Sequence, residues 1–285
     1  MKQRIIRIIR KLTNPWRLYT VGNYIIKLPK EHKLPDYQLV YKNYDKKLKN
    51  IIESIEKFTN KGTIIDIGAN VGDTTGYMRS FSTSKIICVE GDDVYLKYLK
   101  KNMKMLPDIR IYTAFISGRN SNTNYDIVRT NGTAKLEQSN NKISSDIHFI
   151  VLSEILKENN IQPVFLELIK IDTDGFDFDI ILANEHIIKE YKPNLYFEYD
   201  ICFNQSDDLD SLNVIKLLES FGYGFVIYDN YGNLMNIVED NCEQEFIKIN
   251  HYITSCRKYG GGICYCDIFA TTNKQIRSDV WENDK

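Results

Sequence analysis

The sequence has no long apolar run, and nothing in it approaches the ~18 consecutive hydrophobic residues that a membrane-spanning helix requires. It has no excess of either charge: 37 basic residues stand against 38 acidic ones, for a net charge of −1. That balance excludes a general nucleic-acid binder, whose footprint is a basic surplus. Histidine is scarce. His32, His148, His186 and His251 form neither an HxxxH nor an HExxH pair, so no metalloenzyme motif is present. The six cysteines include no CxxC pair of the kind that holds zinc, and five of them follow residue 200. They read as small hydrophobes kept as free thiols in a reducing cytoplasm. A secretion signal is also missing, because Arg7 and Arg10 break the apolar stretch of MKQRIIRIIRKL and no small-residue cleavage site follows.

What is present suits a globular α/β protein. Of 285 residues, 43% are hydrophobic, and apolar runs recur along most of the chain, which excludes low-complexity disorder. Residues 1–45 read as a basic N-terminal extension, an amphipathic helix plus a loop. On that helix Ile5, Ile8, Ile9 and Leu12 share one face and Arg4, Arg7 and Lys11 another. Two readings stay open: the helix lies on an anionic membrane surface through residues 1–12, or its apolar stripe packs on the body of the protein.

From residue 46 to 285 strands alternate with helices. Leu48, Ile51, Ile52 and Ile55 have helical spacing, and Asn60-Lys61-Gly62 closes that helix. Strands are expected at Thr63 to Ile67, Lys85 to Glu90 and Ile109 to Phe115, separated by helices from Gly72 to Phe81 and Asp93 to Met105. Residues 117–146, rich in Asn, Ser and Thr, read as a surface loop or lid with one strand-like piece, Tyr125 to Val128. Beyond it come a strand at His148 to Leu152, a helix from Ser153, the strand Val164 to Ile171 and a helix from Phe176 to Tyr191. A strand at Asn194 to Tyr199, a helix from Leu209 to Phe221 and the strands Gly224 to Tyr228 and Ile263 to Thr271 complete the pattern. The alternation predicts a doubly wound, mainly parallel sheet of seven strands with helices on both faces and a closing antiparallel pair.

The most informative segment is Ile64-Ile65-Asp66-Ile67-Gly68-Ala69-Asn70-Val71-Gly72-Asp73-Thr74-Thr75, where an apolar strand runs through a glycine turn into a helix. In an open α/β sheet such a turn lies at the carboxyl edge, where ligands bind. Glu90 ends the next strand, about 20 positions on, the place from which a carboxylate accepts hydrogen bonds from ribose hydroxyls. The ligand is therefore expected to contain a nucleoside. The turn is GxxxG rather than GxGxxG, and Asp66 and Asp73 flank it, so a phosphate is disfavoured and a cation favoured. S-adenosylmethionine (SAM) matches: it has a ribose, a sulfonium and an ammonium group, and no phosphate. Its carboxylate suits backbone N–H groups and Thr75 at the helix start. The expected cofactor set is Asp66, Gly68, Ala69, Asn70, Gly72, Asp73, Thr75 and Glu90, with Gly91 and Phe115 at the ends of the second and third strands.

A second acidic group, Asp172, Asp174 and Asp177, ends the strand Val164 to Ile171 beside that turn. Methyl transfer needs an acceptor held in line, and an alcohol must also surrender its proton, which a positioned carboxylate accepts. Asp172 or Asp174 are candidates, and Glu198 at the end of the next strand is a third. Competing readings make Asp174 a helix N-cap and Asp177 a first-turn residue favoured by the helix dipole. His251, in a stretch read as loop, is a further candidate base.

These segments resemble, in order, the FkbM-type family of SAM-dependent methyltransferases over roughly residues 60–272. IDIGANVGDTT is similar to the family's first SAM motif, and VEGDD to the acidic end of its second strand. Asn131-Gly132-Thr133 with Leu136 resembles its small-residue loop, and HFIVLSEIL its threonine-leucine-aspartate segment. LIKIDTDGFD resembles its Lys-Ile-Asp-x-Glu-Gly-x-Glu hallmark, and NLYFEYD and CYCDIFATT resemble the strands that follow. Two positions depart from the pattern: the hallmark glutamates are Asp174 and Asp177, and the family's proline after the ribose carboxylate is Gly91. The resemblance implies a Rossmann-like class I methyltransferase fold and O-methylation of a hydroxyl, in a sugar of a bacterial surface polysaccharide or glycolipid. Two other readings remain. A nicotinamide-dependent sugar oxidoreductase or epimerase requires a Tyr-x-x-x-Lys pair, and none follows the third strand in a suitable place. A non-catalytic SAM-binding module would bind the cofactor without transfer.

Overall fold

A computed structural model describes residues 16–117, 125–130, 132–139, 147–202 and 209–285. The amphipathic helix expected over residues 1–12 lies outside the described residues. The rest of the N-terminal extension differs from the helix and loop read from sequence. It is a hairpin of β1 (Trp16–Val21) and β2 (Tyr24–Pro29), followed by a short helix α1 (Leu34–Val40) with Pro35 in its first turn. The strand period is masked in the sequence because the hairpin exposes apolar side chains too: Ile26 and Leu28 are buried while Leu18 and Ile25 face solvent.

Helix α2 (Lys47–Phe58) buries Leu48, Ile51, Ile52 and Ile55. The expected alternation follows as β3 (Thr63–Ile67), α3 (Asp73–Arg79), β4 (Lys85–Glu90), α4 (Asp93–Met103) and β5 (Ile109–Thr113). The loop region then holds structure of its own. Strand β6 (Phe115–Ile116) precedes the hairpin β7 (Tyr125–Thr130) and β8 (Thr133–Gln138), and β9 (Phe149–Ile150) pairs with β6 in parallel. The strand expected at 148–152 is therefore outside the main sheet.

Next come α5 (Leu152–Glu158) and β10 (Leu166–Ile171), then α6 (Asp177–Ala183) and α7 (Glu185–Tyr191), two helices where one was expected. β11 (Asn194–Tyr199), α8 (Leu209–Ser220), β12 (Gly224–Asp229), β13 (Leu234–Val238), α9 (Cys242–Tyr259), β14 (Cys266–Thr271) and α10 (Lys274–Asp284) complete the chain. The stretch read as a loop around His251 is thus a helix, with Cys242, Phe246, Ile249 and Ile253 buried along one side. Three cysteines, Cys88, Cys242 and Cys266, are buried, whereas Cys202 is exposed.

The main sheet has eight strands, in the order β13-β12-β14-β11-β10-β3-β4-β5. The strand missing from the seven-stranded expectation is β13, a five-residue edge strand, LMNIV, with most of its side chains only half-buried. Strands β11, β10, β3, β4 and β5 run parallel, and β14 is antiparallel to both β11 and β12. Side chains leave β3 alternately, so Ile64 joins a core with α2, α4 and α10, while Ile65 and Ile67 join the core under α5, α6 and α8. The order reverses at β3 and β10, and the crevice outside their carboxyl ends is where open α/β sheets bind ligands. Among the described residues no helix is long and apolar enough to cross a membrane.

The N-terminal hairpin is fastened to this edge by one side chain. Asn102 of α4 accepts from Lys27 N–H (2.8 Å) and donates to Lys27 O (2.9 Å) and to Val71 O in the glycine turn (2.8 Å). Replacing Asn102 with Ala leaves those backbone groups without partners. It should lower stability by about 1–3 kcal/mol. Thermal denaturation reads the loss, and faster amide exchange at Lys27 locates it. An unchanged melting curve would contradict the role given to Asn102.

Candidate functional site

The glycine turn owes its shape to a run of left-handed residues. Gly68, Asn70 and Gly72 have φ of 77°, 48° and 84°. A Cβ on Gly68 would lie 1.9 Å from Asp172 O, so only glycine lets β3 and β10 close together here. Gly68 N–H and Ala69 N–H both donate to Val89 O (3.0 and 3.1 Å), which ties the turn to the end of β4.

Glu90 closes the other side. Its carboxylate accepts from Asn70 N–H (2.8 Å) and from Asp92 N–H (2.6 Å), and it is almost wholly buried. Burial, only partly offset by those two donors, pushes its pKa up to about 7. Asp92 in turn caps α4, accepting from Val94 N–H and Tyr95 N–H at 2.9 Å each. The β7–β8 hairpin is clamped over this corner: Arg129 reaches Asp92 at 2.6 Å and Asp93 at 2.7 Å, and Asn70 Nδ2 donates to Gly132 O at 3.0 Å.

Between turn and hairpin lies a cleft whose empty space, open solvent included, is about 580 Å³. One end is apolar, built from Val89, Ala114, Phe115, Leu136, Phe176 and Ile180; the other presents Asn70, Glu90, Asp172, Thr173 and Asp174. Of the expected cofactor residues, Gly68, Asn70, Glu90, Gly91 and Phe115 line it. Any side chain at Gly91 would strike the Phe115 ring, its Cβ falling 2.1 Å from Cδ2.

Asp66 and Thr75 do not line the cavity. Thr75 Oγ1 donates to Asp66 Oδ2 (2.6 Å) in the interior, and Lys170 Nζ lies 3.1 Å from Asp66 Oδ1 and 3.3 Å from Asp172 Oδ2. The charge of Asp66 thus meets a protein cation. Burial pulls the Lys170 ammonium toward neutrality, but Asp172 and Asp66 outweigh it and hold its pKa above the usual lysine range. Ala69, Gly72 and Asp73 shape the turn and helix start without lining the cavity. Asp73 is instead held near His32 and Lys170. The lining residues sequence reasoning missed include Val89, Tyr95, Ala114, Phe176 and Ile180, whose apolar character resembles that of any core position.

The second acidic group adjoins the polar end. Asp172 is partly open to solvent, its side chain 48% exposed. Asp174 has φ of 50° and does not cap α6, whose N-cap is Phe176. Burial, with Asp172 and Asp177 nearby, raises the Asp174 pKa to about 7. Asp177 reaches back to accept from Thr173 N–H (3.3 Å) and Thr173 Oγ1 (2.8 Å), fixing the bend after β10. Glu198 stands opposite Asp267 across the β11–β14 ladder and is not a lining residue of the cavity. Burial, then Asp172, Asp177 and Asp267, carry its pKa well above the carboxylate range. His251 is exposed on α9 and is not a lining residue of the cavity. Among the described residues no cluster of His, Cys, Asp and Glu is arranged to hold a metal ion.

Residues 66–225, more than half of the chain, match the family model described as the methyltransferase FkbM domain, and the chain belongs to that family. No curated protein matches it. Solved structures with similar chain courses include precorrin-6y C5,15-methyltransferase from Geobacter metallireducens, 12% identical over 78% of this chain and 84% of that one, with a TM-score of 0.38. M. jannaschii TYW2 in complex with AdoMet is 9% identical over 90% and 85%, with a TM-score of 0.40. A putative RNA methyltransferase from Pyrococcus horikoshii is 11% identical over 79% and 81%, at 0.39. The chain is a SAM-dependent methyltransferase of Rossmann-like class I architecture.

The cavity fits that cofactor. Its apolar end suits a purine, and Glu90 has lone pairs left for ribose hydroxyls. Hydroxyl donors favour ionised Glu90, so SAM affinity should be full above pH 7 and fall by up to about tenfold per unit as pH drops below it. Glu90→Gln should weaken binding about 10- to 100-fold at pH 8 and flatten that profile. Calorimetry across pH 5.5–8.5 checks both. A wild-type profile that rises toward acid would contradict the assignment of Glu90.

Proposed function

We propose that this methyltransferase acts on a hydroxyl group of a neutral glycan, such as a sugar of a bacterial surface polysaccharide or glycolipid. One observation carries the reading. Asp172 and Asp174 line the polar end of the cavity, and Glu198, Asp267 and Asp45 lie within Coulombic reach of Asp172. The nearest cations are committed: Lys170 to Asp66 and Asp172, Lys47 to Asp267. Such a wall accepts hydrogen bonds from hydroxyls and repels phosphates and carboxylates.

Bound SAM supplies an activated methyl group; the protein has to position the acceptor and take its proton. Asp172 is the proton acceptor in this reading, because it lines the cavity and is open to solvent on the acceptor side. Holding the reacting groups in line contributes about 7–11 kcal/mol. The reaction runs in the cytoplasm, and the basic, apolar sequence of residues 1–12 suits an anionic membrane surface where a glycolipid acceptor would be presented.

The test is transfer of labelled methyl from SAM to a panel of neutral hexosides, uronic acids and sugar phosphates. Label should enter neutral hexosides as an alkali-stable ether. Asp172→Asn should cut turnover about 100-fold while SAM affinity changes by no more than about threefold. Transfer confined to anionic acceptors would overturn the reading, and full turnover by Asp172→Asn would remove Asp172 as the proton acceptor.

A further inference from the structure

A histidine outside the family domain completes the cofactor turn. His32 follows β2 and is buried, 7% exposed. Its Nδ1 accepts from Leu34 N–H at 3.3 Å, so in the neutral ring Nε2 carries the proton. Burial is the main cause of its lowered pKa, so the neutral ring prevails; Asp73, Arg17 and Glu31 are the charged groups facing it. Nε2 is buried and has no acceptor. The ring stands edge-on to the cavity residue Tyr95, with centroids 6.4 Å apart, and packs against Gly132 of the hairpin.

Asn70 offers the complement. Its Nδ2 is committed to Gly132 O, which leaves Oδ1 as a buried acceptor without a donor. The imidazole and the carboxamide are near enough to interact, yet neither Nε2 nor Oδ1 has a hydrogen bond of ordinary length. A buried donor beside a buried acceptor, each unmatched, favours closing the two on one another.

We propose that His32 is a positioning residue for the cofactor site: on SAM binding its Nε2–H closes onto Asn70 Oδ1 and locks the left-handed turn that presents Asn70 N–H to Glu90. The proposal rests on the cofactor assignment and extends it to a segment ahead of the family domain. His32 acts through Asn70, since it is not itself a lining residue of the cavity.

The experiment is SAM calorimetry on the full chain with His32→Phe, His32→Gln, Asn70→Ala and the His32→Phe/Asn70→Ala double variant. Phe keeps the ring's packing and removes the donor; Gln restores an N–H. The dissociation constant should rise about five- to tenfold in His32→Phe and return to within about twofold of wild type in His32→Gln. In the Asn70→Ala background, His32→Phe should add less than about twofold. Should Phe not be accommodated, His32→Ala leaves a void instead and carries the same comparison. Wild-type affinity in His32→Phe or His32→Ala, or an equal loss in both backgrounds, would overturn the proposal. Failure of the wild-type chain itself to bind SAM would instead contradict the cofactor assignment, and this proposal with it.

Discussion

The site depends on one buried carboxylate. Glu90 leaves the end of β4 with two backbone N–H groups on it, one from the glycine turn after β3 and one from the start of α4. Those two bonds set the distance between turn and helix, and hence the width of the cavity. Burial alone would favour the protonated acid; the N–H groups partly restore the ionised form. A pKa near neutrality is the result, and it leaves the carboxylate responsive to a ligand that brings further donors. Around this point the chain adds fastenings from distant segments. Arg129 ties the β7–β8 hairpin to Asp92, and Asn102 ties the N-terminal hairpin to α4 and to Val71.

Charge is distributed unevenly about the crevice. Lys170 stands among Asp66, Asp73 and Asp172, and its ammonium balances the interior carboxylate that supports the turn. A buried pair of this kind is costly to break from one side, which fixes the end of β10 relative to β3. Farther out, toward β11 and β14, carboxylates outnumber cations. Glu198 and Asp267 oppose each other directly, and their pKa values rise because burial and like charges disfavour ionising both. The crevice lining therefore differs in kind, apolar around Val89, Ala114 and Phe115 and acidic at Asp172 and Asp174.

How much of this was legible in sequence depended on whether the signal was local. The strand–turn–helix at 63–79 and the carboxylate at Glu90 were readable because left-handed turns require glycine or asparagine and because burial makes β3 and β4 mostly apolar. The family hallmark LIKIDTDGFD was readable for the same reason. Asp66 misled: its place beside the turn suggested contact with a cation, and the cation it meets is Lys170, a partner more than 100 positions away. The hairpin at 16–29 was not legible, since it carries apolar residues on its exposed face as well as its buried one, and of the hairpin at 125–138 only Tyr125 to Val128 read as a strand. Helix α9 carried a helical pattern at Cys242, Phe246, Ile249 and Ile253, obscured by β-branched neighbours. His32 had no signal, because only the fold brings it beside Asn70.

A crystal structure of the chain with bound S-adenosylhomocysteine tests the central claim most directly. The expected result is a purine among Val89, Phe115, Leu136 and Phe176, ribose hydroxyls on Glu90, and the sulfur on the Asp172 side of the turn. Ligand density elsewhere on the molecule, or a ribose with no contact to Glu90, would contradict the account.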